Sequence, residues 1–403
     1  MRVGIFTDTY YPEINGVANS TYQLKNTLEK LGHTVYVFTV TNPDAPAVEK
    51  NVYRIKSVPF VLLKERRVGY SPAFKWIATI RALNLDLIHT QTEFTLGHLG
   101  RCMSHVLQIP MVHTYHTIYE DYTHYLKVPG NEKLKGIIKT FSRYCCNQAK
   151  SVIVPSRKVE DLLEEYGVQT PICIQPTGVN TDKFRQVNEE VVNQLKKTYG
   201  LTETDHILLS IGRVSEEKNI MEILNFLPGL IRRDANLKLL VVGDGPQREA
   251  LQERARKLGI EAYVIFTGMV SWDTIQNYYA LGDAFVCASV SETQGLTYIE
   301  ALAAGKPLLV RQDKCLEGVL QEGINGFAYE TKEEFVNGYC KLFEEKQIER
   351  IKRYAASSVA GLSLQAFAKQ IEKIYQETVE EEKIVRQGKI YEKAYGKVHE
   401  LVG

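Results

Sequence analysis

The constraint that decides most is an alternation that runs through the chain twice. Short β-branched segments are separated by amphipathic stretches of helical period, the pattern that gives parallel sheets covered by helices on both faces. In the first half the predicted strands are residues 3–7, 34–40, 86–90, 111–115, 151–155 and 172–175, with a helix over 17–31 stopped by Gly32. In the second half they are 206–211, 237–242, 263–266, 284–288, 307–311 and 326–329. The expectation is an α/β chain of two doubly wound sheets in tandem. A length of 403 residues exceeds what one hydrophobic core sustains, which asks for the same division. The polar, turn-rich stretch 176–197 opens on Pro176-Thr177-Gly178 and sets the expected domains at 1–178 and 179–374. Beyond about Ser357 the pattern is wholly helical. Its charged end, 375–403, reads either as a solvated terminal helix or as one that packs back on the first domain.

Composition narrows the function classes. The seven cysteines, an odd number, form no Cys-x-x-Cys pair and have no His at metal-ligand spacing, so they read as reduced thiols. The start of the chain carries no basic leader, and no apolar run nears the roughly 20 residues of a membrane span. The expected location is cytoplasmic. Net charge is only +1, yet residues 1–180 carry 20 basic against 15 acidic side chains, and 54–158 concentrate the excess at 16 against 6. Such a face suits an anionic surface or solvent. No nucleic-acid motif accompanies it, and no nucleic-acid partner is expected.

Doubly wound sheets bind ligands at the carboxyl ends of their strands, so the residues after each strand carry the functional reading. After the strand at 206–211 comes Gly212-Arg213-Val214-Ser215-Glu216-Glu217-Lys218, where two cations five positions apart could converge on one anion or simply be surface charges. After 284–288 comes Glu292-Thr293-Gln294-Gly295-Leu296-Thr297-Tyr298-Ile299-Glu300. Its glycine opens a predicted helix over 296–304, and its two carboxylates could accept sugar hydroxyls without a metal. Gly243-Asp244-Gly245-Pro246 imitates a dinucleotide fingerprint but lacks the third glycine, which counts against a nicotinamide cofactor. In the first half, Asn15-Gly16-Val17 follows the first strand, and His116 with Tyr119 follows the fourth. No Asp-x-Asp follows a strand, so no metal is expected.

These residues are similar to those of a known family. The chain resembles the retaining glycosyltransferases of family four in Asn15 to Val17, His116, Pro176 to Asn180, Gly212 to Lys218, Gly243 to Pro246, and Glu292 with Glu300, in that order. The resemblance implies a GT-B fold, two Rossmann-like doubly wound domains facing each other across a cleft. It implies that Arg213 and Lys218 hold the donor diphosphate, Glu292 the sugar hydroxyls and Glu300 the ribose. Gly16 and the backbone of Gly295, Leu296 and Thr297 would complete the phosphate cradle, Met269 and Val270 would flank the uracil, and Gly243 would also line the donor site. His116 would sit beside the transferred sugar and the acceptor and help to stabilise the transition state, with Asn15 and Tyr119 on the acceptor side, so that His116, Arg213, Lys218 and Glu292 form the implied catalytic set. The UDP-sugar is then a co-substrate, and no cofactor is implied.

Within the family, Tyr115 to Tyr122, Ser291 to Thr297 and the Arg-Ile-x-Ser-Val-Pro-Phe segment from Arg54 resemble bacterial diacylglycerol glucosyltransferases. That likeness implies UDP-glucose or UDP-galactose as donor, diacylglycerol or a glycolipid as acceptor, and peripheral association with the inner face of the plasma membrane. The stretch 60–67 joins an apolar run to a basic one. Residues 133–150 read as a helix setting Ile137, Ile138, Phe141 and Tyr144 against Lys135, Lys139 and Arg143. Both suit an anionic membrane surface; the plainer alternative is a loop and a core-facing amphipathic helix.

Overall fold

The computed structural model describes residues 1–13, 15–60, 67–120, 131–343 and 347–402, with side chains through residue 387 apart from 131 and 132. It divides into two units, Met1–Pro176 with Gln365–Gly403, and Thr177–Leu364.

The first unit is built on seven parallel strands: β1 (Arg2–Phe6), β2 (Thr34–Val40), β3 (Val52–Ile55), β6 (Leu87–Thr90), β7 (Met111–Thr114), β8 (Ser151–Val154) and β9 (Ile172–Ile174), in the order β3-β2-β1-β6-β7-β8-β9. A two-stranded antiparallel ribbon, β4 (Ser57–Pro59) with β5 (Arg67–Gly69), stands apart from it. The central strands are apolar on both faces, as Val35, Val37, Phe38 and Val40 are in β2, because helices cover both sides of a parallel sheet. The sequence predicts six strands here; the seventh, β3, is a partly exposed edge that carries Arg54. Residues 61–66 of the apolar-basic stretch lie outside the described residues.

The last helix, Leu364–Val402, belongs with this first unit from Gln365 onward. This moves the expected division from 374 to 364, and it is the start of the last helix, through Tyr375, that packs back on the first unit. Phe367, Ala368, Ile371 and Tyr375 recur on one helical face and enter the core of Val3, Ile5, Val35, Val37 and Leu87. Each large side chain so buried contributes roughly 1.5–3 kcal/mol.

The second unit carries six parallel strands, β10 (His206–Ile211), β11 (Leu237–Val242), β12 (Val264–Gly268), β13 (Ala284–Cys287), β14 (Leu308–Arg311) and β15 (Gly326–Tyr329), in the order β12-β11-β10-β13-β14-β15. Both sheets reverse winding beside their first strand, β1/β6 in one and β10/β13 in the other. At such a switch point the loops leaving the strands diverge and open a crevice at their carboxyl ends. Every loop singled out above leaves a sheet at that end.

The helix expected at 133–150 is Asn131–Asn147. One side of it faces the core through Ser142, Cys145 and Cys146, with Ile138 and Phe141 half-buried, whereas Ile137 and Tyr144 stand exposed. No helix among the described residues is long and apolar enough to cross a membrane.

Candidate functional site

In the second unit, the loop after β10 turns through a short 3-10 segment, Glu216–Lys218, into the helix Ile220–Ile231. That turn aims Lys218 back over the sheet, where its ammonium pairs with Glu292 of the loop after β13. The two loops flank the switch point, so the pair sits where the winding rule puts a ligand. Both side chains are half-buried, which strengthens the pairing relative to a surface ion pair. Arg213 stands exposed on the same loop.

The loop after β11 is locked to the loop after β10 by backbone. Gly212 N–H donates to Val242 O (3.0 Å), Val214 N–H to Asp244 O (2.9 Å) and Gln247 N–H to Val214 O (3.0 Å). Gly243 has φ +134°, and a Cβ there would lie 1.9 Å from Gly212 O. The glycine is therefore demanded by the approach of the two loops themselves. Gly243 also donates its N–H to Gly268 O (3.0 Å), which fixes the turn before Met269 and Val270. Met269 is exposed, while Val270 packs on the core.

Gly295 precedes the helix Leu296–Ala303 with φ +70°, and a Cβ would meet Tyr298 Cδ2 at 2.3 Å. Leu296 and Thr297 form the first turn, whose N–H groups lack intrahelical acceptors. Glu300 lies one turn further and is buried. Tyr279 OH donates to its Oε2 at 2.7 Å. Burial pushes the Glu300 carboxyl up to about 7, against the opposing Tyr279 hydrogen bond and the Lys183 charge. Lys183 itself lies 4.1 Å over the Trp272 ring. Gln294, between the two carboxylates, clasps the backbone of Thr177 through two 2.9 Å hydrogen bonds. Sequence reasoning missed Gln294, Tyr279 and Lys183 as site members; only Gln294 lies inside a motif that it read.

In the first unit, Asn15 caps the helix Gly16–Lys30, accepting from Ala18 N–H at 2.9 Å and donating to Thr9 Oγ1 at 2.7 Å. Asn15 is thus engaged in holding the turn, and Gly16 begins the helix. After β7, His116 Nε2 lies 2.6 Å from Gln91 Oε1 of the segment after β6. Burial lowers the His116 imidazole to about 4, so it is neutral at pH 7. Tyr119 OH donates to buried Glu93, whose other oxygen lies 3.2 Å from His113 Nε2. Burial first, then the Glu93 charge, raises the Tyr119 phenol well above its ordinary range. Asp8, just past β1, accepts from Thr92 (2.6 Å), Thr95 and Leu96 N–H (2.9 Å), and burial outweighs these bonds to raise its carboxyl. Gln91 and Glu93 went unread in the sequence, although they follow a strand at the switch point.

The structure thus brings Lys218 to Glu292 and the Gly212 loop to Gly243, and it joins Glu300 to Tyr279 with the Lys183 charge nearby. His116 and Tyr119 are joined to Gln91 and Glu93. Among the described residues no three His, Cys, Asp or Glu side chains are grouped to hold a metal ion.

Two Rossmann-like sheets of this order define the GT-B class of glycosyltransferase. Residues 14–183 match the pattern of Glycosyltransferase Family 4 and residues 191–358 that of Glycosyl transferases group 1, and the chain belongs to glycosyltransferase family 4. The alpha-monoglucosyldiacylglycerol synthase of Streptococcus pneumoniae is 41% identical over 82% of this chain and 75% of that protein. The protein of the same description from Acholeplasma laidlawii is 30% identical over 94% and 98%. Among solved structures, Anabaena HepE in complex with UDP shares the fold at a TM-score of 0.75 and 17% identity, over 94% of this chain and all of that one.

Proposed function

We propose that this protein moves a hexose, glucose on this reading, from a UDP-sugar to the free hydroxyl of diacylglycerol, with retention and without a metal, peripherally on the inner face of the plasma membrane. The observation that carries the donor half is the Lys218–Glu292 pair at the switch point of the second sheet. A cation there meets the diphosphate whose charge grows as it leaves, and a carboxylate beside it accepts hydroxyls of the sugar being moved. Arg213 supplies a second cation, Glu300 the ribose contact, and Met269 with Val270 the side of the uracil. The C1–O bond to the diphosphate breaks, the acceptor oxygen bonds to C1 on the same face, and its proton passes to the leaving phosphate oxygen. His116, neutral at pH 7, accepts a hydrogen bond from a hydroxyl of the sugar or the acceptor without adding charge.

The acceptor class follows the two relatives named alpha-monoglucosyldiacylglycerol synthase. The first unit supports it with apolar side chains outside the core. Ile137 and Tyr144 stand exposed on the helix Asn131–Asn147 that also bears Lys135, Lys139 and Arg143. Exposed Phe94 stacks on Phe141 of that helix at 6.0 Å and meets Tyr119 edge-on at 5.4 Å. A panel of UDP- and GDP-sugars against diacylglycerol, monoglycosyl-diacylglycerol and soluble sugars, with and without anionic vesicles and EDTA, tests the reading. The expected product is an α-glucoside of diacylglycerol, formed with EDTA present and faster on vesicles. Transfer only to soluble sugars, or an inverted anomer, would overturn it.

A further inference from the structure

His116 is joined to the last helix of the chain by a run of buried polar side chains within the first unit. Its Nε2 lies 2.6 Å from Gln91 Oε1. The Gln91 amide nitrogen lies 3.1 Å from Nδ1 and 3.0 Å from Nε2 of His89. Both ring nitrogens already have hydroxyl partners: Tyr375 OH at 2.6 Å on Nδ1 and Thr114 Oγ1 at 2.7 Å on Nε2. An amide group equally near both nitrogens lies over the ring face rather than along either lone pair. An aromatic face is electron-rich and receives an N–H rather than a carbonyl oxygen. Burial keeps His89 uncharged, so its face stays receptive. The amide is thereby oriented with its nitrogen on His89 and its oxygen on His116, and an oxygen can only accept.

We propose that Gln91 is a positioning residue that holds His116 as its Nε2–H tautomer, and that His89, clamped between Thr114 and Tyr375, holds Gln91. The Nδ1 of His116 is then the acceptor. The last helix, whose Tyr375 is 286 residues from His89, contributes to the setting of that ring. A histidine's second nitrogen commonly decides which tautomer the first presents to a ligand. This inference rests on the reading of His116 as a participant in transfer.

Long-range proton–nitrogen correlation spectra of the full-length protein with 15N-labelled histidine report each tautomer directly, and the His116 signal is identified by its loss in His116→Asn. The wild type is expected to show His116 with its proton on Nε2. Gln91→Met, which removes the amide at similar length, is expected to give a mixture of tautomers and to lower kcat by about ten-fold or more with the donor KM within about two-fold, a split that general destabilisation does not produce. Tyr375→Phe, the milder variant, is expected to shift the same signal partway. An Nδ1–H tautomer in the wild type would overturn the proposal without need of any variant, as would an unchanged His116 signal in Gln91→Met. A changed tautomer with unchanged kcat would leave the positioning by Gln91 standing and overturn the part of His116 in transfer.

Discussion

Lys218 and Glu292, 74 residues apart in the chain, close an ion pair between the loops that leave the first and fourth strands of the second sheet. On the proposed reading, a donor diphosphate entering there would compete with Glu292 for the ammonium. Removing the carboxylate would then remove a competitor for UDP but also the proposed acceptor for the sugar hydroxyls. Glu292→Gln is expected to bind UDP as tightly as the wild type or up to about five-fold tighter, while transfer falls by roughly 100-fold or more. Lys218→Ala is expected to lose UDP affinity and turnover together. Calorimetry with UDP beside a transfer assay checks both, and a Glu292→Gln variant that loses UDP affinity selectively would reverse the assignment.

Glu300 gives a pH dependence whose sign can be worked out. Its carboxyl is held at about 7 in the folded chain against an ordinary 4.5, because burial disfavours the charge. The folded state thus binds the proton more tightly than the unfolded one. The associated stability is present in full below about pH 4.5 and is lost as pH rises through 7, on the order of 3 kcal/mol in all. Glu300→Gln is expected to match the wild type near pH 5 and to exceed it in thermal stability at pH 8. On the proposed ribose contact, the hydroxyls prefer the ionised carboxylate, so UDP affinity is expected to climb roughly ten-fold more between pH 6 and 8 in the wild type than in the variant. Taking the ratio to Glu300→Gln cancels titration of the diphosphate itself.

How far these features are legible in the sequence follows from where their partners lie. Buried parallel strands such as Ala284–Cys287 read as unbroken apolar runs, because both faces are covered. The edge strand Val52–Ile55, short, partly exposed and carrying Arg54, has no such run to betray it. Lys218 and Glu292 were readable because each follows a predicted strand at a switch point. Gln91 and His89 were not: their contacts reach Thr114, His116 and Tyr375, up to 286 residues away, and no local pattern encodes those pairings. The start of the last helix was hidden for the same reason, since Phe367, Ala368 and Ile371 pack on strands from the opposite end of the chain.

Gly243 brings the loops after β10 and β11 together by close backbone approach. An added Cβ would lie 1.9 Å from Gly212 O in a residue with φ +134°, so the loops must part. Gly243→Ala is expected to cost about 3 kcal/mol or more, and UDP affinity with it, because the loop bearing Arg213 and Lys218 shifts. Gly259 separates strain from collision: its φ is +66° with nothing within 4 Å, and Gly259→Ala is expected to cost only about 1 kcal/mol and leave UDP binding intact. Urea unfolding with UDP titration of both variants checks the contrast. Equal losses would show that conformation alone governs both positions.

Ile137 is 64% exposed on a helix whose buried side is Ser142, Cys145 and Cys146, so its apolar surface does nothing for the core. If that surface enters a bilayer, Ile137→Glu loses the burial of an Ile and gains repulsion from anionic lipid. Vesicle binding is then expected to fall by about 10- to 100-fold, with folding stability within roughly 0.5 kcal/mol of the wild type. Replacing Lys135 and Lys139 together with Gln should weaken binding mainly at low ionic strength, since salt already screens the charges at high ionic strength. The two kinds of variant therefore differ in their salt dependence, which a solvated helix with no membrane role would not produce. Sedimentation with anionic and neutral vesicles across a salt series distinguishes them, and unaltered binding in Ile137→Glu would remove this helix from the membrane face.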